Sequence, residues 1–442
     1  MKSRFLKNFS VYFSGALVGK GIGLFNILLL GNLLDPSNYS VYVIFFLICD
    51  MLGVFTIFGF TSGIMKLLHE DKKVILSNSL FIIFILSTAI LVIAIFLKTS
   101  FGNGLVSSFE KYHLIKNVLL FIPITVFTSS MTSVISTYFN AIEKPVKNTT
   151  INIIGSLIFL FSLLTIKNTS FINGFEVDIL FIIIIARIVS MIFSGIFALY
   201  LSKEYFIISS ISFKKSISIM KRTSVFLTKH IIGIFQTQAN LIVVGAYSDT
   251  ITFGVFAYYN TIISQLTILS GSFFKAYTPR IVNILRSKKD DRYQVANNLV
   301  KKATSFSLIA FPVFLLSLYF LIEIVISYQD QLSVFIHKDY IKEIKLLFFM
   351  LVVWMIGNFR SFIDIWQYES QKYVNHFILF IQIIALLILY FGAVFFLKKY
   401  DINGIVINQL LLYIVITSIN LYCYYRFILN IKKLKTANDR RH

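Results

Sequence analysis

Twelve apolar runs of membrane-spanning length can be laid along this chain, and they constrain its fold more than any other feature. They fall near 9–34, 38–65, 75–97, 117–140, 150–166, 177–201, 222–245, 251–276, 304–327, 345–366, 377–397 and 404–426. A membrane helix needs about 20 predominantly apolar residues, whereas a helix in a soluble core carries one apolar stripe and a polar back. The composition agrees: 57% of residues are hydrophobic, only 14% are charged and the mean hydropathy is +0.81. A soluble domain carries about 25% charged residues. The expected class is an all-α polytopic membrane protein with about 12 transmembrane helices. Connections such as 99–116, 202–221 and 277–303 are too short to bury a core of their own, which puts any function inside the bilayer. Pro123 and Pro312 fall inside runs four and nine, where neighbouring helices can compensate for a lost backbone bond. Cys49 and Cys423 both sit in apolar runs, so neither a disulfide framework nor a thiol metal site is expected. The opening MKSRFLKN leads into a long apolar stretch without a small-residue cleavage site, which reads as a retained first helix.

The net charge of +21, from 41 Lys and Arg against 20 Asp and Glu, is large for so apolar a chain. Nucleic-acid-binding proteins display their basic residues on polar surface, and this chain has little. Membrane proteins instead collect Lys and Arg in cytoplasmic loops. With the N-terminus inside, about 27 basic residues fall in the tails and alternate loops of one face and nine on the other. That bias places both termini in the cytoplasm and leaves few cations within the spans.

A shift of 214 residues, without gaps, aligns 7–66 with 221–280. Identical pairs include Gly19/Gly233, Asn26/Asn240, Gly31/Gly245, Asp35/Asp249 and Phe60/Phe274. Leu- and Ile-rich helices match by chance at many positions; agreement at Asn, Gly and Asp does not follow from composition. A six-helix repeat is even-numbered, so both halves face the same way, the parallel arrangement of several secondary transporters. The expected architecture is two parallel six-helix halves around a central cavity: an N-terminal bundle 1–212, a C-terminal bundle 213–430 and a basic cytoplasmic tail 431–442.

Charges inside spans are costly, about 2.5–3.5 kcal/mol at the bilayer centre on insertion scales, and face a partner or a wet cavity. Five basic residues remain there, Lys20, Arg187, Lys229, Lys275 and Arg360, with three acids, Asp50, Glu323 and Asp364. Arg360 and Asp364 are four apart and can neutralise each other. Glu323 lies near the outer end of its run, where it is either solvated or part of a site. Lys275, near an inner end, either snorkels to the headgroups or serves a site. Lys20 and Asp50 form either an internal ion pair or part of a cavity wall. Arg187 sits mid-span in IIIIARIVS with no acid near it in sequence, and Lys229 adjoins His230 two turns into run seven. The stretch GIFQTQANL adds Gln236, Gln238 and Asn240, with Asn26 as the repeat counterpart of Asn240. These amides either hydrogen-bond between helices or line a cavity. A central set that is mainly cationic suits an anionic ligand, since Arg and Lys match phosphate oxygens.

No Walker loop, nucleophile elbow, His-Glu-x-x-His or Cys-x-x-Cys is present, so neither enzyme chemistry nor a cofactor is expected. The opening FLKNFSVYFSGALVGKGIGLFNILLLGNLLDPSNYSVYVIFFLICDMLGVFTIFGFTSGIMK resembles the first two helices of lipid-linked oligosaccharide flippases. These are the O-antigen (Wzx) type of polysaccharide biosynthesis transporters in the multidrug/oligosaccharidyl-lipid/polysaccharide exporter superfamily. Leu33, Leu34, Asp35, Pro36, Tyr39, Tyr42, Gly59 and Lys66 stand at the motif positions, while Gly31, Asn32 and Ser40 depart from it.

The resemblance implies a flippase that carries undecaprenyl-pyrophosphate-linked O-antigen oligosaccharide from the cytoplasmic to the periplasmic leaflet of the bacterial inner membrane by alternating access. Lys20, Arg187, Lys229 and Lys275 would hold the pyrophosphate and acidic sugars. Asn26, Gln236, Gln238 and Asn240 would line the sugar path, and Asp50 would couple transport to an ion gradient. Implied partners are the lipid-linked oligosaccharide, membrane lipids and the polysaccharide polymerase machinery, with no nucleic acid. One alternative is a cation-coupled exporter of drugs or metabolites, although LLHEDKK lacks the Gly-x-x-x-Asp-Arg signature of major facilitators. Another is an O-antigen polymerase, which would carry a large periplasmic loop that this chain lacks.

Overall fold

The computed structural model describes residues 2–61, 72–98, 118–142, 144–168, 178–265, 292–328, 336–363 and 372–439, with single positions 64, 284 and 331. Nearly all of the described residues are helical, and none is in a strand. In chain order the long helices are α1 Lys2–Leu33, α2 Pro36–Ile57, α3 Lys72–Leu97, α4 Ile122–Ala141, α5 Pro145–Asn168 and α6 Ile179–Ser202. They continue with α7 Phe213–Tyr247, α8 over 250–265, α9 Arg292–Ser327, α10 Ile344–Ile363 and α11 Lys372–Asp439. Among the described residues, six helical stretches are long and apolar enough to cross a membrane.

Local chemistry sets the helix ends. Asp35 caps α2 by accepting the Asn38 N–H at 3.1 Å, and Pro36 follows in the first turn, where its missing N–H is not needed. Asp249 repeats the device one repeat unit later, accepting the Thr252 N–H at 2.9 Å at the head of α8. The two caps stand at repeat-related positions and use the same three-residue offset, so the best-matching stretch of the repeat is also a structural match. At its other end α2 stops in left-handed backbone, Phe58 at φ 46° and Gly59 at φ 73°. A Cβ on Gly59 would lie 2.8 Å from the Thr223 carbonyl oxygen of α7, so a side chain there would meet both strain and backbone.

Three expected boundaries change. Pro123 stands in the first turn of α4, after a 3-10 turn Leu119–Phe121, and so breaks no interior bond. Pro312 does lie inside α9. Run seven, expected from about 222, becomes a helix from Phe213, because its first turns are amphipathic and basic and fall below the apolar threshold. Runs eleven and twelve become the two arms of α11, separated by a reversal at Asp401 (φ 53°, ψ −148°).

The described chain divides into two compact units. One comprises Met1–Gln238 with Asp249–Tyr258 and Phe335–His337; the other comprises Ala239–Ser248, Tyr259–Val334 and Lys338–His442. The first has an apolar core near one membrane end, where Ile75, Leu76, Val134, Ile135, Tyr138, Phe139 and Ile219 pack together. Polar bonds join its helices: Thr56 and Ser130 hydroxyls at 2.5 Å, Ser194 Oγ to the Ile151 carbonyl at 3.1 Å, and Asn26 Nδ2 to the Ser156 carbonyl at 3.1 Å. Such bonds are how helices associate where lipid removes the hydrophobic incentive. In the second unit the arms of α11 pack antiparallel through Leu389, Leu412 and Ile416, and Asn408 Nδ2 donates to the Leu389 carbonyl at 3.1 Å. The Tyr424 hydroxyl meets Asn297 of α9.

Candidate functional site

The first unit concentrates the intramembrane chemistry around Arg187. This residue lies eight residues beyond the start of α6, roughly 12 Å along it at 1.5 Å per residue, and hence near mid-span. Its guanidinium sits over the buried ring of Phe159 on α5, 5.0 Å from the centroid. That cation–π contact is worth about 0.5–2 kcal/mol, more as water is withdrawn. The guanidinium is half-buried and, among the described residues, makes no side-chain hydrogen bond or ion pair. Its five N–H donors therefore have no acceptor among the described residues.

Asp50 on α2 is the acid of this site. Its side chain is exposed at the surface of the described protein. The positive charge of Arg187 acts on the Asp50 carboxyl and on the Tyr42 hydroxyl, although Arg187 and Asp50 do not touch as an ion pair. Tyr42, about two helical turns beyond the Asp35 cap, is buried and lies against Tyr39 and Phe46. Sequence leaves Arg187 without an acid and offers Lys20 as the partner of Asp50. Folding brings α2 and α6 together, so that the charge of Arg187 also reaches Asp50.

The other expected residues are more dispersed. Lys20 is half-buried on α1. Asn26, also on α1, is buried; its amide nitrogen donates to Ser156, and its Oδ1 has no partner among the described residues. Lys229 lies on α7, where its side chain is outside the description; the neighbouring His230 is half-buried with Nε2 unpartnered. Gln236 and Gln238 are half-buried on the same helix. In the second unit Asn240 donates Nδ2–H to Gln409 Oε1 at 3.0 Å, and Gln409 Nε2 donates to the Tyr413 hydroxyl at 3.3 Å. The Asn240 Oδ1, like that of its repeat counterpart Asn26, is buried and unpartnered. Lys275, Lys66 and Asp364 lie outside the described residues, as does the side chain of Arg360. Among the described residues no group of His, Cys, Asp or Glu could hold a metal ion.

Phe159, Gln409 and Tyr413 were not singled out from sequence, and Tyr42 stood there only as a motif position. Gln409 carried a usable signal, a polar residue within an apolar run. Phe159 is one of 47 phenylalanines and had none.

This arrangement can hold an anion: a donor-rich planar cation on an aromatic platform, with an acid nearby that changes the local charge when it binds a proton or cation. Comparisons with known proteins bear on the fold and the family. In overall fold the chain is similar to a lipid II flippase, MurJ, in an inward closed conformation, with TM-score 0.67, 16% identity, and 95% of this chain and 90% of that one covered. It is also similar to a MOP superfamily transporter from Pyrococcus furiosus Vc1, with TM-score 0.62, 15% identity and coverage of 98% and 96%. An inward-facing multidrug resistance MATE transporter of the same superfamily gives TM-score 0.63, 15% identity and coverage of 96% and 99%. No curated protein matches the chain in sequence. The family profile described as "Polysaccharide biosynthesis protein" matches residues 5–285, well over half of the chain and all of the Arg187 site. The chain is therefore a polytopic membrane protein with the fold of MOP superfamily transporters, and it belongs to the polysaccharide biosynthesis protein family.

Proposed function

We propose that this protein is a flippase that moves an undecaprenyl-pyrophosphate-linked O-antigen oligosaccharide across the bacterial inner membrane by alternating access, with both termini in the cytoplasm. The observation that carries the reading is Arg187: a mid-span guanidinium on the Phe159 ring, with no acceptor among the described residues. Holding a charge at that depth is costly, and an anionic group entering the site repays part of it through charge-assisted, bidentate bonds. The diphosphate of a lipid carrier has the matching oxygens. Lys20, Lys229 and Lys275 extend the cationic path in this reading. Asn26, Gln236, Gln238 and Asn240 offer amides to sugar hydroxyls, while the lipid tail remains in the bilayer.

Asp50 is the coupling residue in the proposal. Neutralised by a proton or paired with a sodium ion, it leaves Arg187 with its full positive charge for the cargo; ionised and free, it competes for that charge. The delivered saccharide then becomes available to the polysaccharide polymerase machinery. Support comes from membership of a polysaccharide biosynthesis family and from the independent charge argument. Depleting the protein in cells tests the function itself. Lipid-linked repeat units should accumulate, inaccessible to reagents added outside; normal outer-leaflet levels after depletion would overturn the reading.

A second reading, a cation-coupled exporter of drugs or metabolites, draws on Asp50, since an accessible acid within the span could bind a cationic compound. It requires Arg187 to be dispensable, and that separates the two.

A further inference from the structure

The segment between α6 and α7 is fastened to α3 by a set of hydrogen bonds that the transport reading does not use. Asn78 donates Nδ2–H to the Ser210 carbonyl at 3.2 Å, and its Oδ1 accepts from the Ser212 N–H at 3.0 Å and the Ser216 hydroxyl at 2.9 Å. One residue earlier, the Ser77 hydroxyl accepts the Ile207 N–H at 2.9 Å. Ser77, Asn78 and Ser216 are all buried.

These bonds fix the depth of the segment. The apolar run of α3 opens at Val74, so Asn78 lies about one turn inside the end of that span. Residues 207–216 therefore sit where hydrocarbon gives way to headgroups. The end of α6 agrees: Tyr200 is exposed, and Lys203 Nζ stands 4.6 Å from its ring centroid, a pairing of types that gather at membrane interfaces.

The outer side of this fastened segment has two edges. Ile208, Phe213 and Ile217 are 76%, 66% and 48% exposed, and the last two share a face of α7, four residues apart. Lys214 and Lys221 border that face, and Lys215 is exposed beside them. The opposite side, Ser216 and Ile219, is buried against the unit. An apolar edge dipping into the acyl boundary beside a lysine edge is the pattern of an interfacial helix that prefers anionic lipid.

We propose that the start of α7 is a binding site for anionic phospholipid headgroups, with Phe213 and Ile217 in the acyl boundary and Lys214, Lys215 and Lys221 on the phosphates. This goes beyond the transport reading and does not depend on the cargo.

The test uses the full chain in phosphatidylcholine bilayers containing trace spin-labelled phosphatidylglycerol or spin-labelled phosphatidylcholine. The readout is the ratio of their protein-bound fractions. The wild type should prefer phosphatidylglycerol, less so as salt rises. The variant K214Q/K215Q/K221Q should lower the ratio at least about fivefold, the effect expected for losing even one lysine at an anionic surface. K214R/K215R/K221R should keep the ratio, and F213S/I217S should lower it in part. The control K345Q/K398Q/K399Q removes the same charge from other exposed lysines and should leave the ratio near the wild-type value. An unchanged ratio in the first variant, loss in the arginine variant, or an equal fall in the control would each overturn the proposal. None of these outcomes touches the flippase reading, which phosphatidylglycerol selectivity does not measure.

Discussion

Gly254 lies against the backbone of Pro36 so closely that a Cβ at position 254 would sit 1.8 Å from the Pro36 carbonyl oxygen. Both residues belong to the first unit, and the contact seats the first turns of α8 on the start of α2. A hydroxyl contact, Ser37 Oγ to Thr250 Oγ1 at 3.4 Å, and an edge-on pair of Tyr39 and Tyr258 surround it. Gly254→Ala must move backbone, at about 1–3 kcal/mol of overpacking. Gly233 on α7 has open space around it, so Gly233→Ala should be neutral or stabilising by up to about 1 kcal/mol through helix propensity. Thermal unfolding of the two variants in the same detergent should separate them, Gly254→Ala melting lower and Gly233→Ala not.

The matched caps make a second prediction. Asp35→Ala and Asp249→Ala should each cost about 1 kcal/mol, and the Asn versions much less. Burial is the largest single effect and opposes ionisation of Asp249, but the hydrogen bonds from Thr252 and its neighbours together outweigh it and hold the carboxyl below its usual value. A depressed carboxylate adds stability above its unfolded pKa of about 3.9 and loses it as pH falls through the lower folded value. The gap between wild type and Asp249→Asn should thus be constant near neutrality and close below about pH 4, as acid titrations of melting temperature will read.

Asn240 and Gln409 make a third. Their bond lies inside the second unit, and interhelical bonds of this kind average about 0.6 kcal/mol. Asn240→Ala, Gln409→Ala and the double variant should form a cycle with a coupling of that order. Strict additivity would show that the bond contributes nothing.

The platform under Arg187 is testable separately from its charge. Phe159→Leu keeps an apolar side chain of moderate size and removes the ring face, so flipping should fall about two- to thirtyfold, the range of a lost cation–π contact of about 0.5–2 kcal/mol. Phe159→Tyr should retain most of the activity. Protein level in the membrane, measured alongside, separates this from misfolding.

The parts of the fold legible in sequence were those written locally. The Asp-Pro turn after α1 and its echo at Asp249 could be read from composition and spacing, and both act as caps. The start of α7 was hidden because Phe213, Lys214 and Lys215 read as loop on a hydropathy scale; their helix is held by Asn78, a residue on another element. The site was half legible. Arg187 announced itself as a charge in an isoleucine run. Its relation to Asp50 and Phe159 depends on the packing of α2, α5 and α6, which no local pattern encodes.

The account turns on Arg187 receiving an anionic lipid-linked cargo. The most direct measurement is the amount of lipid-linked repeat unit accessible at the outer face of cells carrying Arg187→Ala at wild-type expression. Losing a charge-assisted contact of about 1.5–3 kcal/mol predicts a fall of at least about tenfold, with Arg187→Lys intermediate because it keeps the charge but not the fork. Normal outer-face levels in Arg187→Ala would contradict the account.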